Sequence, residues 1–126
     1  MKPLEPIVPG APPAGHYSPA MVAGDTIYVS GQLPSRADGT HDPAAPFEVQ
    51  VERVLDKLIA LVVQAGGSVE TIARVNVYLV GAARWDEFNT VYARKLGAHR
   101  PARSVVPVSE LHFGYLIEVD AVALRR

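Results

Sequence analysis

The chain is 126 residues long, which suits one domain with one core. Its 12 basic and 13 acidic residues give a net charge of −1, and 48% of its residues are apolar. This balance excludes a largely disordered chain and disfavours a general nucleic-acid binder, which needs a basic stripe to displace counterions.

Taken in chain order, residues 1–16 hold Pro3, Pro6, Pro9, Pro12 and Pro13 and are expected to form an extended arm. Ala20 to Leu33 reads as two short strands around the turn Ala23-Gly24-Asp25. Ile27 and Val29 share one face there, Tyr28 and Ser30 the other. Gly31 permits a bend or a close approach, and residues 34–46 form a turn-rich loop. From Phe47 to Ala65, Val51, Val54, Leu55, Leu58, Ile59, Val62 and Val63 recur at spacings of three and four, which predicts a helix ending at Gly66-Gly67. Ile72 to Val80 alternates as a strand. A second helix carries Trp85, Phe88, Val91, Tyr92 and Leu96 and stops at Gly97, ahead of Pro101. Ser104 to Val108 and Leu116 to Leu124 are the last strands.

This order predicts an α+β fold in a single domain over residues 1–126: one mixed sheet with both helices on one face. Tyr28, Tyr78, Val80 and Val122 give the other face apolar surface, which is expected to meet another subunit. The chain has no cysteine, which removes disulfides and thiolate chemistry and fits a reducing compartment. The start lacks the apolar stretch of a secretory signal, and no apolar run nears the roughly 20 residues that span a bilayer. A cytoplasmic protein is expected.

Common site types are missing. There is no phosphate loop, no dinucleotide fingerprint and no nucleophile elbow around Ser30. The histidines at 16, 41, 99 and 112 never pair at metal-ligand spacing, so no metal is expected. Two features remain. Arg103, in Pro101-Ala102-Arg103-Ser104, stands at the start of a strand and can grip a carboxylate through two parallel hydrogen bonds. Its bland alternative is a surface arginine or an intersubunit ion pair. Glu118 and Asp120 share a strand face with Leu116 and Val122. A partly buried carboxylate there would have a raised pKa and could exchange protons near neutrality. A solvated strand face is the alternative, and neither feature decides alone.

Together with their neighbours, these residues resemble the RidA/YjgF family of reactive-intermediate deaminases. The likeness is carried by Gly15-His16-Tyr17-Ser18, Val29-Ser30-Gly31-Gln32-Leu33-Pro34, Phe88-Asn89-Thr90-Val91-Tyr92, Pro101-Ala102-Arg103-Ser104 and Ile117-Glu118-Val119-Asp120-Ala121-Val122-Ala123. The resemblance implies a chorismate-mutase-like fold and a homotrimer with active sites in clefts between subunits. It also implies hydrolysis of enamines and imines of the 2-aminoacrylate/2-iminopropanoate type to a 2-keto acid and ammonium, without a cofactor. By the same resemblance Arg103 holds the substrate carboxylate and Glu118 guides the attacking water. Tyr17, Ser30, Gly31, Asn89 and the backbone at Val105 line the pocket. The partners implied are a small imino or enamine acid and two further copies of the chain, with no nucleic acid and no membrane.

The chain departs from the family pattern at His16 and Pro19. It departs again at Val105, where many members have cysteine or threonine, and in Leu111-His112-Phe113-Gly114-Tyr115. These departures bear on substrate preference. Two other readings use the same clefts: a non-catalytic trimer that binds small carboxylates, and a deaminase of a longer enamine acid. Family members linked to RNA cleavage offer a further reading, but with 7% aromatic residues the chain has no evident base-stacking platform.

Overall fold

The alternating stretches do become strands, and the three-four periodicity becomes helix. The computed structural model describes residues 3–126. In chain order it contains β1 (Glu5–Ile7), β2 (Ala20–Ala23), β3 (Thr26–Gln32), α1 (Phe47–Gln64), β4 (Ile72–Val80), α2 (Trp85–Leu96), β5 (Ala102–Val108) and β6 (Ile117–Leu124). The strands form one sheet in the spatial order β1-β2-β3-β6-β4-β5. Only β4 and β5 pair in parallel, joined by α2, and every other pair is antiparallel. The expected α+β architecture, a single mixed sheet with two helices, is the one observed.

Strand alternation decides what each face carries. Ile27, Val29, Val75, Val77, Leu79, Ile117, Val119 and Ala121 are buried on one face. They join Val51, Val54, Leu55, Leu58 and Val62 of α1 and Phe88, Val91 and Leu96 of α2 in one core. Each fully buried aliphatic side chain contributes about 1.5–3 kcal/mol, so this layer dominates stability. Helix α1 ends where Gly66 adopts φ 102°, a left-handed cap unfavourable to other residues. In α2, Asp86 and Glu87 occupy the first turn and Arg94 and Lys95 the last, matching the helix dipole at both ends. No helix among the described residues is long and apolar enough to cross a membrane.

The structure refines several expectations. Part of the extended proline-rich arm is a strand, Glu5–Ile7, which pairs with Val22–Ala20 as β1. Pro6 is tolerated there because β1 is an edge strand, where a missing N–H costs no ladder bond. Met1 and Lys2 of that predicted arm lie outside the described residues. Val63 belongs to the solvent side of α1, whereas Leu61 and Gln50 are buried. The second face of the sheet is mixed rather than apolar. Tyr28 is exposed and Tyr78, Val80 and Val122 are half-buried. Beside them Asp120 accepts hydrogen bonds from Asn76 Nδ2 (2.8 Å) and the Tyr78 hydroxyl (3.0 Å). Arg74 donates to Asn76 Oδ1 and to Ser104 Oγ, both at 3.1 Å.

Gln50 shows why a polar residue occupies the core side of a helix. It is completely buried, yet all its polar capacity is directed at backbone. Its Nε2 donates to the carbonyls of Pro43 (3.2 Å) and Ala45 (3.0 Å), and its Oε1 accepts from the Leu116 N–H (2.9 Å). One side chain thus fastens the loop before α1 and the segment before β6 to the same helix. Replacing Gln50 with leucine keeps the volume but strands these backbone groups in the interior. Chemical denaturation of Gln50→Leu should show a loss of about 2–4 kcal/mol, since each buried unpaired group costs about 1–3 kcal/mol. A loss below about 0.5 kcal/mol would mean that water or loop movement replaces the clamp.

Candidate functional site

The ladder between β3 and β6 breaks between Val29 and Gln32, where the register shifts around Ser30 and Gly31. Such a bulge re-aims the local side chains. The Ser30 hydroxyl donates to the Ser18 carbonyl (2.6 Å), and its N–H donates to the Pro19 carbonyl (2.9 Å). These two bonds hold the arm that carries Tyr17 against the strand. Gly31 faces the Glu118 side chain so closely that a Cβ built on Gly31 would overlap the carboxylate. The absence of a side chain at position 31 is therefore what makes room for Glu118. Lys57 of α1 reinforces the same stretch, donating to the Leu33 carbonyl (2.6 Å) and to Ser35 Oγ (2.7 Å). Burial lowers the pKa of its ammonium.

These contacts shape a cleft of about 940 Å³. Tyr17, Ser30, Gly31 and Glu118 line it, together with His41, Lys57, His112 and Phe113. Glu118 is half-buried and makes no hydrogen bond with any described residue. Burial raises the pKa of its carboxyl and the nearby Asp120 charge raises it further, while His112 acts in the opposite direction. The group is thus suited to exchanging a proton closer to neutrality than a solvated glutamate.

The far wall is built around a strained turn. Phe113 sits at φ 61°, in the left-handed region where a bulky residue is an outlier, costing roughly 1–3 kcal/mol. Its ring stacks on His41 with centroids 3.8 Å apart and planes inclined by 23°. His41 Nδ1 in turn lies 2.9 Å from the hydroxyl of the buried Tyr115, which also accepts from the Asp42 N–H (3.0 Å). Asp42 is paired with Arg53 at 2.9 Å.

Arg103 belongs to a second location. Strand β5 is at the sheet edge, in register with β4 so that Arg103 lies opposite Val75. Val75 faces the core, so Arg103 also points toward the helices, over α2. Its Nη1 donates to Asn89 Oδ1 (2.9 Å). The guanidinium carbon lies 4.8 Å from the Tyr92 ring centroid, 5.5 Å from that of Phe88 and 5.8 Å from that of Trp85. These aromatic faces attract the cation while leaving most of its N–H donors free. Val105, two residues further on the same strand face, packs half-buried against the core. No carboxylate among the described residues pairs with Arg103, which argues against an ion pair within the chain. Beneath the guanidinium, the hydroxyl of buried Tyr92 has no partner among the described residues.

The predicted site residues therefore fall into two groups. Tyr17, Ser30, Gly31 and Glu118 come together, and Asn89, Arg103 and Val105 come together. The two groups are not joined within one chain. Val75 pairs with both Arg103 and Ala121, while Glu118 is three residues along β6 and on the opposite face. Strand spacing and rise put the two backbones about 14 Å apart, with side chains pointing away from each other. Within one chain the site residues thus form two half-sites, and the expected clefts lie between subunits, beyond a single chain. The aromatic support of Arg103 went unrecognised in the sequence, although Trp85, Phe88 and Tyr92 already stood at helical spacing. Nothing in the periodicity marked His41 or Phe113, because loops carry none.

A family model described as Endoribonuclease L-PSP matches residues 9–125. The Saccharomyces cerevisiae protein described as Protein MMF1, mitochondrial, is 35% identical over 117 residues, covering 92% of this chain and 80% of that protein. The crystal structure of the YjgF gene product from E. coli aligns with a TM-score of 0.87 at 30% identity, covering 97% of this chain and 99% of that one. The structure of E. coli TdcF with bound serine aligns with a TM-score of 0.84 at 30% identity, covering 94% of each chain. A match along nearly the whole chain, in sequence and in fold, supports one conclusion: this protein belongs to the RidA/YjgF family, the family of the L-PSP model.

Proposed function

We propose that the protein is a cofactor-free cytoplasmic hydrolase of reactive 2-imino acids and their enamine tautomers, working as a homotrimer. The observation that carries this reading is the division of the site. A half-buried proton-exchanging carboxylate opens into one cleft, and an unpaired, aromatic-supported guanidinium stands on the other face of the sheet. Neither half is sufficient for the chemistry. A second copy that presents its Arg103 edge to the Glu118 cleft completes the constellation, as closed homo-oligomers with head-to-tail contacts allow.

In that arrangement Arg103 binds the substrate carboxylate through two parallel hydrogen bonds and fixes the imine carbon. Glu118 accepts a proton from water as the water oxygen bonds to the carbon of the protonated imine, giving a neutral carbinolamine. The carboxyl returns that proton to the amino nitrogen, the carbon–nitrogen bond breaks as the carboxylate takes the hydroxyl proton, and the 2-keto acid leaves with ammonia, which picks up that proton as ammonium. Asn89 orients the guanidinium. The packing of Gly31 on Glu118 orients the base, and Tyr17 and Ser30 form the adjoining wall. The serine bound to TdcF has the same unit, a carboxylate beside a nitrogen-bearing carbon, which supports an amino-acid-like ligand for the family site.

Three outcomes test this reading. Keto-acid release should be followed while an amino-acid oxidase generates 2-iminopropanoate. Arg103→Ala should then lower kcat/KM by about 30- to 5,000-fold, equivalent to roughly 2–5 kcal/mol for a desolvated charge pair. Equal acceleration by wild type and variant would remove Arg103 from the reaction.

Mixing offers a second check. Arg103→Ala and Glu118→Gln, each strongly impaired alone, should regain activity when unfolded and refolded together, with about a quarter of composite sites intact after random 1:1 assembly. No recovery despite mixed oligomers would place both groups in the same subunit's site or in none.

The third outcome concerns stability. The raised pKa of Glu118 means that the folded chain retains this proton to higher pH than the unfolded chain. Ionisation of Glu118 therefore costs stability as pH rises from the ordinary carboxylate range through the raised folded value. Glu118→Gln should be more stable than wild type at about pH 7.5, with the advantage gone near pH 4. Thermal melts at the two pH values measure it, and an unchanged or reversed difference would refute the burial argument.

A further inference from the structure

The rings around Arg103 come from a single stripe of α2. Trp85, Phe88, Asn89 and Tyr92 stand at i, i+3, i+4 and i+7, which places them on one side of the helix. The guanidinium carbon lies over each ring, 4.8 Å from the centroid of Tyr92, 5.5 Å from that of Phe88 and 5.8 Å from that of Trp85. Phe88 and Tyr92 are packed on each other, with centroids 5.3 Å apart and planes inclined by 44°. Both belong to the buried core, so this support is as fixed as the core itself. All these contacts are made within one chain and need no neighbouring copy.

Tyr92 is the informative member. Its hydroxyl is buried with no partner among the described residues, which costs stability, so what this residue contributes here is its ring. A ring face attracts a cation through its quadrupole without taking up the N–H donors in the guanidinium plane. One of those donors, at Nη1, goes to Asn89 Oδ1 (2.9 Å). A carboxylate in the place of the rings would hold the group as firmly, but it would neutralise the charge and take the donors that an acid ligand needs. We infer that Tyr92, together with Phe88 and Trp85, is a positioning residue for Arg103: its ring fixes the guanidinium while leaving donors free for the substrate carboxylate. The inference rests on the hydrolase reading for its effect on turnover, whereas the placement of the guanidinium is measured separately.

Two readouts on the full chain test it. The first is the guanidinium proton resonance of Arg103, identified by its loss in Arg103→Lys. Protons held over a ring face are shifted upfield, so this signal should stand upfield of those of exposed arginines. Tyr92→Leu should bring it back toward them, and Tyr92→Phe should leave it in place. The second is keto-acid release from 2-iminopropanoate generated by an amino-acid oxidase. Tyr92→Leu should lower kcat/KM by about tenfold, the scale of one desolvated cation–π contact, and Tyr92→Phe should stay within about threefold of wild type. Lost turnover with an unmoved Arg103 signal would make Tyr92 merely structural and overturn the inference. Equal damage from Tyr92→Phe would overturn it by assigning the effect to the hydroxyl, and a moved signal with full turnover would leave the placement without effect on the reaction. Should Tyr92→Leu fail to fold, Trp85→Leu, whose ring lies outside the buried core, carries both measurements. There a displaced signal with reduced turnover upholds the inference, and an unmoved one overturns it. If wild type itself accelerates no imine hydrolysis, the hydrolase reading falls, and the signal alone decides whether Tyr92 places Arg103.

Discussion

Both helices bury the same face of the sheet, so side-chain alternation gives every strand one dry side and one open side. Ile27, Val29, Val77 and Val119 fill the dry side, and Ser30, Tyr78, Glu118 and Asp120 take the other. Moving β6 by one residue would drive Glu118 into the core and expose Val119. The chemistry of the chain is thus tied to the same register that holds it folded. The edge position of β5 has a related effect. Arg103 shares the core-facing side of its strand, but at the margin of the sheet it reaches only one helix. Trp85, Phe88 and Tyr92 supply its surroundings there.

The charged groups are handled in contrasting ways. Asp120, two residues from Glu118 on the same face, is satisfied by Asn76 and Tyr78 and serves the sheet. Glu118 is left without a partner among its own chain's described residues, and burial, reinforced by the Asp120 charge, raises its proton affinity. Arg103 keeps one polar partner, Asn89, and is otherwise held by aromatic faces that leave its donors available. A fold that fully paired these two side chains would gain local stability but would leave neither free for a ligand.

The legible part of this structure was the part governed by period. The two helices, the β2-β3 hairpin and the later strands follow from spacings of two and of three to four, and their observed limits differ from expectation by a residue or two. What escaped was set by pairing across distance. β1 exists because β2 offers an open edge, and nothing in Glu5-Pro6-Ile7 alone declares it. The buried role of Gln50 carried no periodic signal, because its backbone partners come from two remote segments. The motif residues were identified individually, but which of them a single chain brings together was not. Linear order does not show that Arg103 follows Val75 toward the core while Glu118 lies across the sheet. The segment from Leu111 to Tyr115 stood out as a departure from the family pattern, but its left-handed turn at Phe113 did not, since loop geometry depends on what the loop packs against.

The bare Cα at Gly31 has a consequence beyond this chain. Because Glu118 occupies the space that a methyl group would need, positions 31 and 118 are joined as closely as two halves of a hinge, though they belong to opposite halves of the primary structure. Natural variation should therefore be correlated at these two places. A homologue that shortens or discards the acid gains freedom to carry any small residue at 31, and one that keeps the acid beside a larger residue must swing its carboxylate aside. An alignment column showing alanine at the first position would then be a simple diagnostic of a relative whose acid has been lost or displaced.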